Sequence, residues 1–419
     1  MGPMISRDEQ RLLDAIDPDE LVRLTQDLVR IDSVIRPETG GTEREVVQYI
    51  AEWVRRELAM QPLVEEAAPG RQNIVVTLDS GREGPCLMLE GHTDVVSEGN
   101  REDWTRDPFG GEVASGRIFG RGSCDMKAGI AVALLTAKAF HSAGVRWKGK
   151  IRLGLVCDEE GMMLGIKSFI RAGHADDVTA CLVPEPEENN LCIRMKGAIR
   201  AIVRVRGKMA HGAMPLSGVN PNTRLARIVL AFERFETEEK ERCGKDPYLG
   251  LPSITFTVIQ SPPPGSLAQL NVIPSEAVGY VDIRTTLAQD HDALRERLRR
   301  ILGELSAADR DFRAEIEFIE DRPVVGISRE EPIARISAEA FREVTGREPV
   351  WNGVPGATDG TFLSAWRSVP CLVNGPGPRL VPHQADEYVE IEELVESARI
   401  YVLSASRFLA WGTDISEIH

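Results

Sequence analysis

The sequence predicts an α/β fold in which a large domain with a mostly parallel central sheet is interrupted by a smaller βαββαβ unit. Three observations point there: apolar strand-like runs alternate with helical periodicity up to residue 197, the pattern changes over 198–321, and longer helices return from 322. The domain limits are therefore 1–197 and 322–419 for the large domain, and 198–321 for the insert.

In chain order, residues 19–30 and 42–60 carry apolar side chains at helical spacing, and Thr42-Glu43-Arg44-Glu45 has the form of a capping box. Strand-like runs follow at 73–78, 86–89, 151–156 and 180–183, with helical stretches at 127–142 and 161–172. In the insert, strands at 199–206, 253–260, 278–284 and 314–319 alternate with helices at 222–235 and 293–305. That order is the ferredoxin-like split-βαβ pattern. Helices at 331–344 and 391–409 and a short strand at 371–373 complete the large domain.

Composition narrows the function. With 419 residues and 42% hydrophobic content, each domain can bury a core, so the chain is not disordered. A formal charge of −15 excludes nucleic acid and anionic membrane as natural partners, since both need basic patches. The seven Cys are an odd number, none closer than eleven residues apart. That is neither a disulfide framework nor a structural zinc pattern, and a reducing cytoplasm is expected. The opening Met1–Asp14 has neither the basic n-region nor the apolar h-region of an export signal, and no run approaches a membrane span.

Metal-ligating residue types gather in a few segments. Leu87-Met88-Leu89-Glu90-Gly91-His92-Thr93-Asp94 is an apolar strand running into H-x-D, and Gly120-Arg121-Gly122-Ser123-Cys124-Asp125 is a Gly-rich turn ahead of a helix. Val156-Cys157-Asp158-Glu159-Glu160 and Val183-Pro184-Glu185 are further strand ends carrying acids, and Pro382-His383 adds a late His. Open α/β sheets place their active sites at the carboxyl ends of strands. Zinc takes imidazole nitrogen and carboxylate oxygen, and a pair of zinc ions needs a bridging carboxylate. Asp125 suits the bridge, with His92 and Glu185 on one ion and His383 and Glu160 on the other. Asp94 is placed to hold the second ring nitrogen of His92, and Glu159 is the candidate general base on water.

With H-T-D, G-R-G-S-C-D-M-K, D-E-E, P-E-P and H-Q-A-D-E in this order, the chain resembles the M20 family of dinuclear zinc amidohydrolases and peptidases. That family includes acetylornithine deacetylase, succinyl-diaminopimelate desuccinylase, aminoacylase and glutamate carboxypeptidase. The intervals fit too, 33 residues from His92 to Asp125 and 35 from there to Glu160. The resemblance spans nearly the whole chain. It implies two Zn²⁺ per subunit, with Co²⁺ or Mn²⁺ as substitutes, and a cis Asp125–Met126 peptide bond. It makes the insert a lid and dimerisation domain, hence a homodimer. His211 would stabilise the tetrahedral oxyanion of the partner subunit's site, Asn271 would contact substrate, and Arg284 and the Gly356 N–H would hold a substrate carboxylate.

Glu185, rather than Asp, leans toward deacylases and carboxypeptidases. Met214 and Thr361 stand where desuccinylases tend to have Tyr and Arg. The expected activity is hydrolysis of an N-acyl amino acid of unspecified acyl group. Carboxypeptidase or dipeptidase action is the alternative, and a catalytically silent metal-binding scaffold the rival from another class.

Overall fold

The computed structural model describes residues 5–411; the first four residues of the segment read for an export signal lie outside the described residues. By contact density the chain separates into two compact units. The larger comprises residues up to Arg194, Gly326–Gly353 and the chain from Thr358; the smaller comprises Met195–Val325 and Val354–Ala357.

The larger unit is built on a sheet whose strands run in the order Leu63–Ala68, Arg71–Asp79, Lys150–Val156, Cys86–His92, Ala180–Pro186, Cys371–Gly375, Leu191–Met195. Its four central strands, from Lys150–Val156 to Cys371–Gly375, are mutually parallel. The flanks are antiparallel. The sheet is therefore mixed, which corrects the expected mostly parallel one. The physical reason lies in short connections. Pro69-Gly70, with Gly70 at φ +74, turns Leu63–Ala68 straight back into Arg71–Asp79. The Leu63–Ala68 pairing had no apolar run to announce it, because that strand carries Glu65 and Glu66 and is only half-buried.

Lys127–Ser142 is buried on nearly every side, as a helix without a polar face must be. It packs on Ile391–Trp411 and Pro18–Arg30 as well as on the central strands. Gly129 allows its first turn to close on the strand below, since a Cβ there would lie 2.3 Å from the Pro184 carbonyl oxygen.

The capping box expected at Thr42–Glu45 does not form. The helix runs Arg44–Glu57 with Glu43 at its N-cap and no side-chain cap bond. Glu43 is instead buried and forked by Arg71, which also reaches Asp158 at 3.0 Å. A capping box does form at Ser6 and Glu9, ahead of Arg7–Asp14. Breaking a buried ion pair from one side costs about 3–5 kcal/mol. Arg71→Met is therefore expected to lower unfolding stability by about that much, read from urea denaturation. A loss below about 1 kcal/mol would show that the pair carries little.

The smaller unit has four antiparallel strands in the order Ser253–Gln260, Glu276–Thr285, Gly197–Arg206, Arg313–Arg322. Alternation drives it: Ile199, Ala201, Val203 and Val205 point inward from one strand. Helices Pro221–Cys243 and His291–Ala308 cover them with Leu225, Ile228, Phe232, Leu294, Leu298 and Ile301. In chain order the elements read βαββαβ.

Among the described residues, no helix is long and apolar enough to cross a membrane. The seven cysteines are free, and all but Cys243 are buried.

Candidate metal centre and catalytic site

Parallel register brings the ligand segments to one edge of the large unit. His92 ends its strand opposite Val156, so the Cys157–Glu160 turn emerges beside it. Glu185 lies near the end of the next parallel strand, and Cys371–Gly375 runs parallel to that one before the loop carrying His383. Asp125 sits in the turn before Lys127–Ser142, and its bond to Met126 is cis.

The five proposed ligands come together. His92 Nε2 lies 3.1 Å from Asp125 Oδ1 and 3.5 Å from Glu185 Oε1. His383 Nε2 lies 3.3 Å from Asp125 Oδ2 and 2.9 Å from Glu160 Oε1. Asp125 thus presents one oxygen to each histidine. Ligand atoms of His92, Asp125 and Glu160 all fall within 4.8 Å of one another.

This arrangement tests whether metal fits. A ring nitrogen carries at most one proton, yet each histidine nitrogen here faces two carboxylates. Burial pushes the Glu185 carboxyl well up, with Asp125 adding to it, and Glu160 is raised for the same two reasons. Burial also works against a charged Asp125, but hydrogen bonds from His383 and His92 outweigh it and hold its carboxyl low. His383 is pushed up to about 10 by Asp125 and Glu160. Divalent cations between the rings and carboxylates would neutralise this crowding, and a mixed N/O donor set suits zinc.

The placement of Asp94 differs from expectation. His92 Nδ1 pairs with the Asp94 main-chain oxygen at 2.9 Å, while the carboxylate stands 3.7 Å away. That carboxylate accepts the N–H groups of Glu159 (3.1 Å) and Glu160 (3.2 Å). The H-x-D segment therefore fixes the ring through its backbone and the acidic turn through its side chain. Glu159 is buried, and its charge bears on Glu185 and Glu90.

In the smaller unit, His211 pairs with Val272 across two short strands, and the Gly212 N–H donates to the Asn271 oxygen at 2.6 Å. His211 is exposed, and its Nδ1 accepts the Ala213 N–H at 3.0 Å. The neutral ring must then carry its proton on Nε2, facing outward as a donor. Arg284 is forked by Asp282 at 2.6 and 3.1 Å, and a Cβ on Gly356 would stand 3.8 Å from its Nη1.

Sequence reasoning missed Glu90. It is a buried acid inside the Cys86–His92 strand, and burial pushes it up to about 8. A lone acid in an otherwise apolar strand was the available signal.

With this geometry in view, the sequence profile of peptidase family M20/M25/M40 matches residues 88–407. The chain belongs to this family. Among curated proteins, the chain is similar to a succinyl-diaminopimelate desuccinylase from Thioalkalivibrio sulfidiphilus, 29% identical, the match covering 92% of this chain and 98% of that one. Another, from Rhodospirillum centenum, is 28% identical over 93% and 97%. Among solved structures, an M20 family metallo-carboxypeptidase from Sulfolobus solfataricus superimposes with a TM-score of 0.78 at 17% identity, over 94% of this chain and all of that one. A dinuclear metal-binding M20 peptidase from Bacillus subtilis gives 0.70 at 17%, over 94% and 98%. As a member of the M20 family, the chain is a metal-dependent hydrolase acting on C–N bonds.

Proposed function

We propose that the protein hydrolyses the amide bond of an N-acyl amino acid at a dinuclear zinc site. The observation that carries this reading is Asp125, whose two oxygens face two histidines, each with its own glutamate. His92, Asp125 and Glu185 would hold one ion, and His383, Asp125 and Glu160 the other. Two zinc ions there would supply Lewis-acid polarisation of the amide carbonyl and acidify water.

The protein's own groups do the remaining work. Glu159 takes a proton from the attacking water as its oxygen adds to the carbonyl carbon. It returns that proton to nitrogen as the C–N bond breaks, giving a carboxylic acid and a free amine. Asp94 holds the Glu159–Glu160 turn by accepting hydrogen bonds from both backbone N–H groups. His211 of one subunit offers Nε2–H to the oxyanion developing in the site of its partner. Arg284 and the Gly356 N–H take the substrate carboxylate, Arg284 exchanging part of its pairing with Asp282, and Asn271 contacts the substrate alongside them.

The smaller unit serves as the lid and as a homodimer contact. Met209, Met214, Leu216, Leu267 and Leu270 are exposed around His211 and Asn271, and Ser253–Gln260 is an edge strand with Val258 and Ile259 exposed. A second copy covering these surfaces would remove an apolar patch and an open edge together.

The relatives named desuccinylases support an acyl amino acid over a peptide. Met214 and Thr361 leave the acyl group open. Turnover of N-acetyl-, N-succinyl- and N-carbamoyl-amino acids, measured beside dipeptides with zinc or cobalt added, tests this. Hydrolysis is expected among the acyl amino acids, with dipeptides poorer. Preference for dipeptides would favour peptidase action, and no turnover at full metal loading would favour a silent binding protein.

A further inference from the structure

Glu387 lies four residues beyond His383 and is fully buried. Its place follows from a small separate sheet, in which Tyr388–Glu390 pairs antiparallel with Arg117–Phe119 and Tyr388 stands opposite Phe119. That register sets Glu387 against the turn leading to Asp125, and the Gly120 N–H donates to its main-chain oxygen at 2.8 Å. Its carboxylate then divides its two oxygens. Oε1 accepts the N–H groups of both Cys124 and Asp125 at 3.1 Å. Oε2 is paired with the buried Arg121 guanidinium. Arg121 in turn packs against Trp104 and donates to the Ser97 oxygen.

Resting on the proposed metal site, we infer that Glu387 is a positioning residue that sets Asp125 between the two histidines. Its side chain ties the backbone of Asp125 to the same segment that delivers His383, across 262 residues of chain from Asp125 to Glu387. The two oxygens do different jobs. The Oε1 bonds orient the bridging ligand, whereas the Oε2 pair with Arg121 anchors the assembly in the fold. Groups that orient metal ligands typically change metal affinity about 10–100-fold when removed.

The division of labour gives a test that a merely structural role would not satisfy. Zinc affinity of the full-length protein is measured by chelator competition and thermal stability by calorimetry, for wild type, Glu387→Ala and Glu387→Gln. Glu387→Ala is expected to weaken zinc binding about 10–100-fold. Glu387→Gln keeps a carbonyl oxygen for the two amides and is expected to recover most of that affinity. Both variants lose the charge facing Arg121, so both should melt earlier. Should Glu387→Ala not fold, the double variant Arg121→Met/Glu387→Met leaves neither charge buried alone and carries the same comparison. Affinity within twofold of wild type in the folded variant lacking the acceptor would overturn the inference, as would Glu387→Gln binding as weakly as that variant. Wild-type protein taking up less than one zinc ion per chain would overturn the metal-site reading itself, and this inference with it.

Discussion

Glu159→Gln is expected to lower kcat by about 10²–10⁴-fold, the usual contribution of a positioned general base. The amide is nearly the same size, so the Asp94 bonds to the Glu159 and Glu160 N–H groups persist. What is lost is the ability to take a proton from water and deliver it to the leaving nitrogen. Zinc content should stay at the wild-type level, because Glu159 is not among the ligands. Elemental analysis of the purified variant beside steady-state kinetics checks both halves. Activity within tenfold of wild type would remove Glu159 from the base role; lost zinc would make it a ligand.

Asp125→Ala should be more damaging still, since both proposed ion sites share that carboxylate. His92 and His383 would each keep one glutamate, Glu185 and Glu160 respectively. Neither remaining pair suffices for the three protein ligands usual in catalytic zinc sites. Zinc bound after dialysis should fall from two ions per chain to fewer than one, with activity at background. Cobalt spectra of the substituted protein report the change in coordination directly. Retention of both ions would show that Asp125 is not the bridge.

How far the sequence carried depends on where each signal lies. The strand-end segments at His92, Glu160 and Glu185 were legible because apolar runs stop abruptly in ligand-type residues, and parallel register does the rest. His383 has no such strand-end signal and joined them because a second ion needs its own imidazole, its loop returning from over 220 residues beyond Glu160. The Thr42–Glu45 capping box failed for a tertiary reason, as Glu43 is drawn to Arg71 on a neighbouring strand. Local pattern cannot weigh a buried ion pair 28 residues away. Likewise Asp94 was matched to His92 through its side chain, when the backbone oxygen makes that bond and frees the carboxylate for the acidic turn. The antiparallel flank was hidden because Leu63–Ala68 is a half-buried edge strand whose acids break the apolar alternation. Glu387 was visible as a letter in H-Q-A-D-E, yet its contacts to Cys124 and Asp125 exist only after folding.

The central claim is a two-ion site bridged by Asp125, and crystals grown with zinc test it most directly by anomalous diffraction at the zinc edge. Two peaks per chain are predicted, one against His92 and Glu185 and the other against His383 and Glu160, with Asp125 touching both. A single peak at full zinc loading, or two peaks with Asp125 bound to neither or only one, would contradict it.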